Sequence, residues 1–275
     1  MRAVFNILLD AYWRFIDDDG WAIASHIALS TLTALFPFLI FLTALAGFFG
    51  SKELADEAAR LLLDAWPAQV AGPIAGEIHN VLTQTRGQLL TLSAVLALYF
   101  ASGGVEALRI GLNRAYDAAE TRPWWGLRLE SIGYVLVGAV ALLALSFLIV
   151  LGPLIWAQTL RYAPALGGLQ HFVTLARLGL TTLVLLVALV LVHKWLPAGR
   201  RTFAVIMPGV AFSFLVSLAI GEAFGAYLAA FAGNYVTTYA GLASVMIALV
   251  FLYTMAAIFV YGGELNAAIE RARGR

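Results

Sequence analysis

Between Thr202 and Gly263 there is a single charged side chain, Glu222; the nearest charges outside the run are Arg201 and Glu264. Such a run far exceeds the ~18 largely uncharged residues that mark a membrane-spanning helix. It predicts two spans with a break near Gly233–Asn234. In the first, a small residue recurs at every fourth position: Gly209, Ser213, Ser217, Gly221, Gly225 and Ala229. That spacing follows an i±4 ridge, along which another helix can approach backbone to backbone. Glu222 falls within the Gly221–Gly225 step. A carboxylate in a spanning segment is costly and faces protein or water rather than lipid. The run therefore predicts a tightly packed helix that presents one acid to the bundle interior.

Composition agrees. The chain is 62% hydrophobic and 12% charged, whereas soluble domains are about half apolar and about a quarter charged. An all-α membrane protein forming one transmembrane domain over residues 1–275 is expected. Its net charge of +1 gives no electrostatic case for a nucleic-acid partner. The absence of cysteine excludes disulfides and thiolate chemistry. Residues 1–20 read as an interfacial amphipathic helix, with Val4, Leu8, Tyr12 and Phe15 on one face. Asp10 and Asp17–Asp19 argue against a signal peptide, and Asp17–Asp19 are suited to capping the next helix.

Six spans are predicted, at about Trp21–Gly50 (with His26 and the kink candidate Pro37), Leu89–Gly104, Ser131–Trp156, Phe172–Trp195, Ala204–Phe231 and Tyr239–Tyr261. Residues 51–88 show helical periodicity with a charged face and read as two short outer amphipathic helices. Glu77 and His79 lie two apart and do not share a helix face. Residues 105–129 form a cytoplasmic amphipathic segment: Glu106, Arg109, Asn113, Asp117 and Glu120 make a polar stripe, and Trp124 and Trp125 serve as interface anchors. Residues 234–239 are expected in an uncharged polar outer loop. Twelve of the 17 Lys and Arg residues fall on the side of the termini; the others are Lys52, Arg60, Arg86, Arg161 and Arg177. The positive-inside rule then places both termini in the cytoplasm.

Two polar groupings are candidate cavity or gate residues. Arg177 and Glu222 each lie roughly 24 Å from the inner boundary of a core about 30 Å thick, so they stand at equal depth. They are either a gate or substrate-headgroup site, or an ion pair that sets helix register. Glu106 and Arg109 after the second span, with Glu264 and Asn266 ending the sixth, form either an inner gate or ordinary helix-end charges. His26 is a candidate proton carrier or a neutral imidazole bonded to a neighbouring helix. No catalytic, cofactor or metal group is read from the sequence: His26, His79, His171 and His193 are scattered, without ligand spacing.

Three blocks resemble the YihY/BrkB family of bacterial inner-membrane proteins. The first is Asp18-Asp19-Gly20-Trp21 with Ala28-Leu29-Ser30 and Leu35-Phe36-Pro37-Phe38-Leu39. The second is Ala101-Ser102-Gly103-Gly104-Val105 with Leu112-Asn113-Arg114-Ala115-Tyr116 and Arg122. The third is Asn234-Tyr235 with Tyr239-Ala240-Gly241-Leu242, then Tyr261-Gly262-Gly263-Glu264-Leu265-Asn266. The chain departs from the family's usual pattern at Tyr239-Ala240-Gly241 and at Gly262-Gly263-Glu264, where Gly-Ala-Glu is usual. The resemblance implies a multi-pass protein of the bacterial inner membrane, of a kind labelled transporter or virulence factor, and in part "ribonuclease BN". The scattered histidines and the lack of a basic, aromatic-studded groove speak against RNA cleavage and against enzyme activity. Two readings follow. One is a transporter of a lipid-like or amphipathic substrate, although no inverted repeat is visible. The other is a membrane scaffold whose small-residue ladder packs protomers or partners. Membrane lipids, a small-molecule or lipid substrate and a second copy of the chain are the expected partners.

Overall fold

The computed structural model describes residues 2–48, 87–239 and 242–273, all helix, turn or loop, with no strand among them. The described helices are α1 (Arg2–Asp17), α2 (Gly20–Phe48), α3 (Gly87–Ala115), α4 (Trp124–Ser146), α5 (Gly152–Tyr162), α6 (Gln170–Trp195), α7 (Phe203–Tyr239) and α8 (Ala243–Arg273). A π turn, Phe147–Leu151, joins α4 to α5, and a 3-10 turn, Pro164–Leu169, precedes α6. Among the described residues, five stretches are long and apolar enough to cross a membrane: Ala94–Ala115, Trp124–Tyr162, Pro164–Trp195, Phe203–Ala230 and Val245–Arg273. Gly20–Leu35 is a shorter apolar helix. Of the expected outer helices, residues 51–86 lie outside the described residues.

The core is built from α2, α3, α7 and α8, with α1 laid across one end. Phe15, Ile23, Ala24, Ile27, Ala107, Ala256 and Val260 form one buried cluster; Leu32, Leu228, Ile247 and Ala248 form another. Gly111 is the point where three helices meet: a methyl there would press on Ile23 of α2 and Val260 of α8. On α1, Ala11 and Phe15 are buried, Ala11 packing with Leu265 and Ala268 of α8. Leu8 and Tyr12, expected on one interfacial face with Phe15, are exposed. The turn into α2 relies on Asp19, whose φ is +55°, and on Gly20, where a side chain would collide with the Phe15 ring. The Asp19 carboxylate accepts from Arg114 at 3.3 Å.

α4, α5 and α6 lie outside this core. The apolar windows of Trp124–Tyr162 and Pro164–Trp195 contain no buried residue. The π turn comes just before Pro153, which cannot donate a helical hydrogen bond; local widening of this kind relieves the clash a proline causes.

α7 and α8 cross in backbone contact. At Gly209 a methyl would overlap the Gly262 carbonyl oxygen, and at Gly262 it would overlap Ser213 Oγ. The small-residue ladder therefore packs at its N-terminal end. Its C-terminal half does not: a methyl at Gly221 or Gly225 would meet nothing within 4 Å, and Ala229 is exposed. Geometry explains the division. Four-residue steps advance about 40° around a helix of 3.6 residues per turn, so Gly221 and Gly225 lie about 120° and 160° from Gly209. Glu222 lies about 140° away on the other side, and it is exposed where the sequence predicted an acid facing the bundle interior. The expected break at Gly233–Asn234 is also absent, because α7 continues through both to Tyr239. Gly and Asn cost only ~1 kcal/mol or less in a helix, and helical hydrogen bonding is favoured where water is excluded. Residues 234–239 are thus helix, not loop.

Gly209→Ala should destabilise the protein by ~1–3 kcal/mol, as expected for overpacking, whereas Gly221→Ala should be neutral or slightly stabilising. Denaturant titration of both variants in the same detergent checks this; equal effects would contradict the packing assignment.

Candidate functional site

The ends of α3, α4, α7 and α8 on the side of the chain termini carry a polar cluster. α3 ends in a C-terminal cap in which Asp117 adopts φ +49° and Ala118 N–H donates to the Asn113 carbonyl, with Asp117 N–H donating to that of Arg114. This left-handed closure ends α3 as a Gly normally would and turns the chain so that Glu120 and Arg122 come back beside α3. The expected 105–129 segment is therefore three pieces: the last turns of α3, this loop and the first turn of α4.

Arg109, on α3, is 5% exposed. It donates to Ser131 Oγ at 3.1 Å and to the Leu127 carbonyl at 3.3 Å, and lies 3.8 Å from Glu106. Glu106 also pairs with Arg128 at 2.8 Å. Arg128 donates to the Tyr99 carbonyl and stacks 4.4 Å above the Tyr99 ring. Glu120 receives both Nε and one terminal nitrogen of Arg122, each at 2.8 Å. Arg122 reaches Glu130 at 2.9 Å and the Leu196 carbonyl at 3.2 Å. Asn113 donates to Glu120 at 3.2 Å and accepts from Ala198 N–H at 2.7 Å, tying the 196–202 turn to α3. The forked hydrogen bonds from Arg122 hold the Glu120 carboxyl at about 2, well below the ordinary 4.5, and in return the Arg122 pKa is raised.

On α8, Asn266 is fully buried. Its Oδ1 accepts from Gly209 N–H at 2.6 Å and its Nδ2 donates to the Tyr116 hydroxyl at 3.0 Å. Burial pushes the Tyr116 phenol up to about 12. Arg201 stacks 3.8 Å above the Tyr116 ring and donates to the Ala198 carbonyl at 2.8 Å. Glu264 is 1% exposed, and its Oε2 has no partner among the described residues.

Of the sequence candidates, Glu106 and Arg109 are brought together, and Asn266 joins them indirectly through Tyr116, Arg201, the 196–202 turn, Asn113 and Glu120. Arg177 and Glu222 are not brought together: no ion pair links them among the described residues. The Arg177 side chain instead passes over Gly152, where a methyl would sit 3.4 Å from its Cδ. His26 is exposed, and the His193 ring lies tilted against Phe259, centroids 4.5 Å apart. Sequence reading assigned no part to Ser131 or Arg201 and took Tyr116 and Arg122 only as parts of a motif. Arg122 does carry a local signal: a Glu two residues before it and a Pro immediately after.

Residues 11–275 match the family described as Virulence factor BrkB. The chain belongs to the BrkB family. It is 26% identical over 268 residues to YfkH of Bacillus subtilis, whose name describes it only as ribonuclease-like; the match covers 98% of this chain and 96% of YfkH. It is 30% identical over 275 residues to the UPF0761 membrane protein RC1_0578 of Rhodospirillum centenum, covering 98% of this chain but 58% of that relative. No solved structure matches it. In this BrkB-family chain, Asn113, Tyr116, Arg122 and Asn266 from the motif blocks all enter the polar cluster.

Because the folded-state value of Glu120 is depressed, its contribution to stability is fully present above pH 4.5 and is lost as pH falls toward 2. Thermal unfolding of the purified protein should therefore be more acid-sensitive across that window than that of Glu120→Gln. Identical pH profiles would show that the Arg122 fork does not hold in solution.

Proposed function

We propose that this BrkB-family chain is a six-span protein of the bacterial inner membrane, with both termini cytoplasmic, that moves a lipid-like or amphipathic substrate along the α6–α7 side of the bundle. Glu222 is the observation that carries this reading. It is the only charge between Thr202 and Gly263, yet it is exposed and has no ion-pair partner among the described residues. A carboxylate so placed needs water or a polar ligand, and a path for an amphipathic molecule supplies both. The tied cluster of Glu106, Arg109, Glu120, Arg122 and Asn266 serves as the closed inner end of that path. The bare apolar faces of α4 and α6 are surfaces for acyl chains.

A second reading has its own support. Gly221 and Gly225 are open to close approach, and a second copy or a membrane partner seated there would cover Glu222. On that reading the chain is a scaffold. Both readings are non-enzymatic; the ribonuclease-like wording belongs to YfkH, and RNA cleavage by purified protein above trace nuclease background would overturn them.

The cysteine-free chain allows a direct test. Single cysteines at Leu218, Ala223 and Ala226 in oriented membranes should react with a membrane-impermeant thiol reagent, with the reactive side switching as conditions change. Silence at all three, with a loop control still labelled, would sink the transport reading. Loss of oligomers in Gly225→Leu would then favour the scaffold. A C-terminal reporter found outside the cell would overturn the topology.

A further inference from the structure

Where the 196–202 turn meets the loop after α3, the surface holds a cavity of about 720 Å³. Four cations line it, Arg122, Lys194, Arg200 and Arg201, against a single carboxylate, Glu120. That carboxylate is already engaged by the fork from Arg122. The other three cations have no ion-pair partner among the described residues. Lys194 is held by aromatic faces instead: its Nζ lies 3.2 Å from the centre of the Phe203 ring and 5.0 Å from that of Trp195. These contacts orient the ammonium without neutralising it. Arg201 uses one nitrogen on the Ala198 carbonyl and stacks on Tyr116, which leaves most of its five N–H donors unused. Arg200 is exposed.

The surroundings indicate what sits there. Trp195 and Phe203 are about half exposed, and Trp124 and Trp125, just past Arg122, more so. A ring of exposed aromatics at helix ends marks the headgroup level of a bilayer. The exposed apolar faces of α4 and α6 continue from it. Basic pockets at the inner ends of spanning helices suit anionic headgroups. We propose that this cavity binds the phosphate of an anionic phospholipid, with Lys194, Arg200 and Arg201 as its donors and Arg122, locked by Glu120 and Glu130, as its wall. The proposal does not need the transport reading. It requires only that these helix ends lie at a membrane surface.

The full-length protein, delipidated in detergent, would be titrated with phosphatidylglycerol or phosphatidylcholine and the bound lipid counted by native mass spectrometry. Phosphatidylglycerol should bind more tightly than phosphatidylcholine by about tenfold or more, and Lys194→Gln/Arg200→Gln should remove about tenfold of that affinity. Arg161→Gln, which removes one positive charge at the other end of the bundle as Arg200→Gln does here, should leave binding unchanged. If the double variant does not elute as a folded protein, Arg200→Gln alone carries the test, with a smaller loss expected. Equal binding of the two lipids, or unchanged binding in the folded variants, would overturn the site. Displacement of phosphatidylglycerol by millimolar inorganic phosphate would mark a free-phosphate site and overturn the lipid assignment.

Discussion

One side-chain amide joins three parts of this fold. Asn266 is fully buried, and it accepts from the backbone of α7 at Gly209 while donating to Tyr116 at the end of α3. A buried amide left unpaired costs ~1–3 kcal/mol, so the arrangement requires α7 and α8 close enough for Oδ1 to reach a backbone N–H. That closeness is possible only because Gly209 and Gly262 lack side chains. With the crossing in place, Tyr116 is fixed, Arg201 has a ring to stack on, and the 196–202 turn is held against Asn113.

The result is a molecule with unequal ends and sides. The end on the side of the chain termini is cross-linked by charge-assisted hydrogen bonds from Arg122 to two carboxylates and from Arg128 to Glu106, with Arg109 in an ion pair 3.8 Å from Glu106. The flanks on α4 and α6 are apolar and bare. In a bilayer, lipid covers those flanks without cost, since helix–helix contact there has no hydrophobic driving force. Glu222 is the exception on such a surface. Its need for water or a polar neighbour is the physical reason to look for a path or a partner beside α7.

Much of this was legible in the sequence, and the parts that were not failed for definable reasons. Long uncharged runs revealed the helices, because length and apolarity are direct consequences of spanning. The polar stripe Glu106–Arg109–Asn113–Asp117–Glu120 was readable because its first three members share one α3 face at helical spacing, although Asp117 pairs with Arg14 instead. The direction of Glu222 was misjudged because a strict four-residue ladder was treated as one face, although it rotates about 40° per step. Gly233–Asn234 signalled a break, but propensities measured in water weigh little where every backbone group must be bonded internally. Ser131 and Arg201 carried no signal of their own, and Tyr116 only that of a motif. Their partners lie on other elements, and a left-handed Asp117 that turns the loop back beside α3 cannot be inferred from side-chain spacing.

A double-mutant cycle on Asn266→Ala and Tyr116→Phe, read by denaturant unfolding in detergent, tests the central clasp most directly. If the amide joins α7, α8 and the end of α3 as described, the two substitutions are coupled by ~0.5–3 kcal/mol, the range for residues in one hydrogen-bond network. Additivity within ~0.3 kcal/mol would mean that Asn266 and Tyr116 do not meet, and that this end of the bundle is held together by its ion pairs alone.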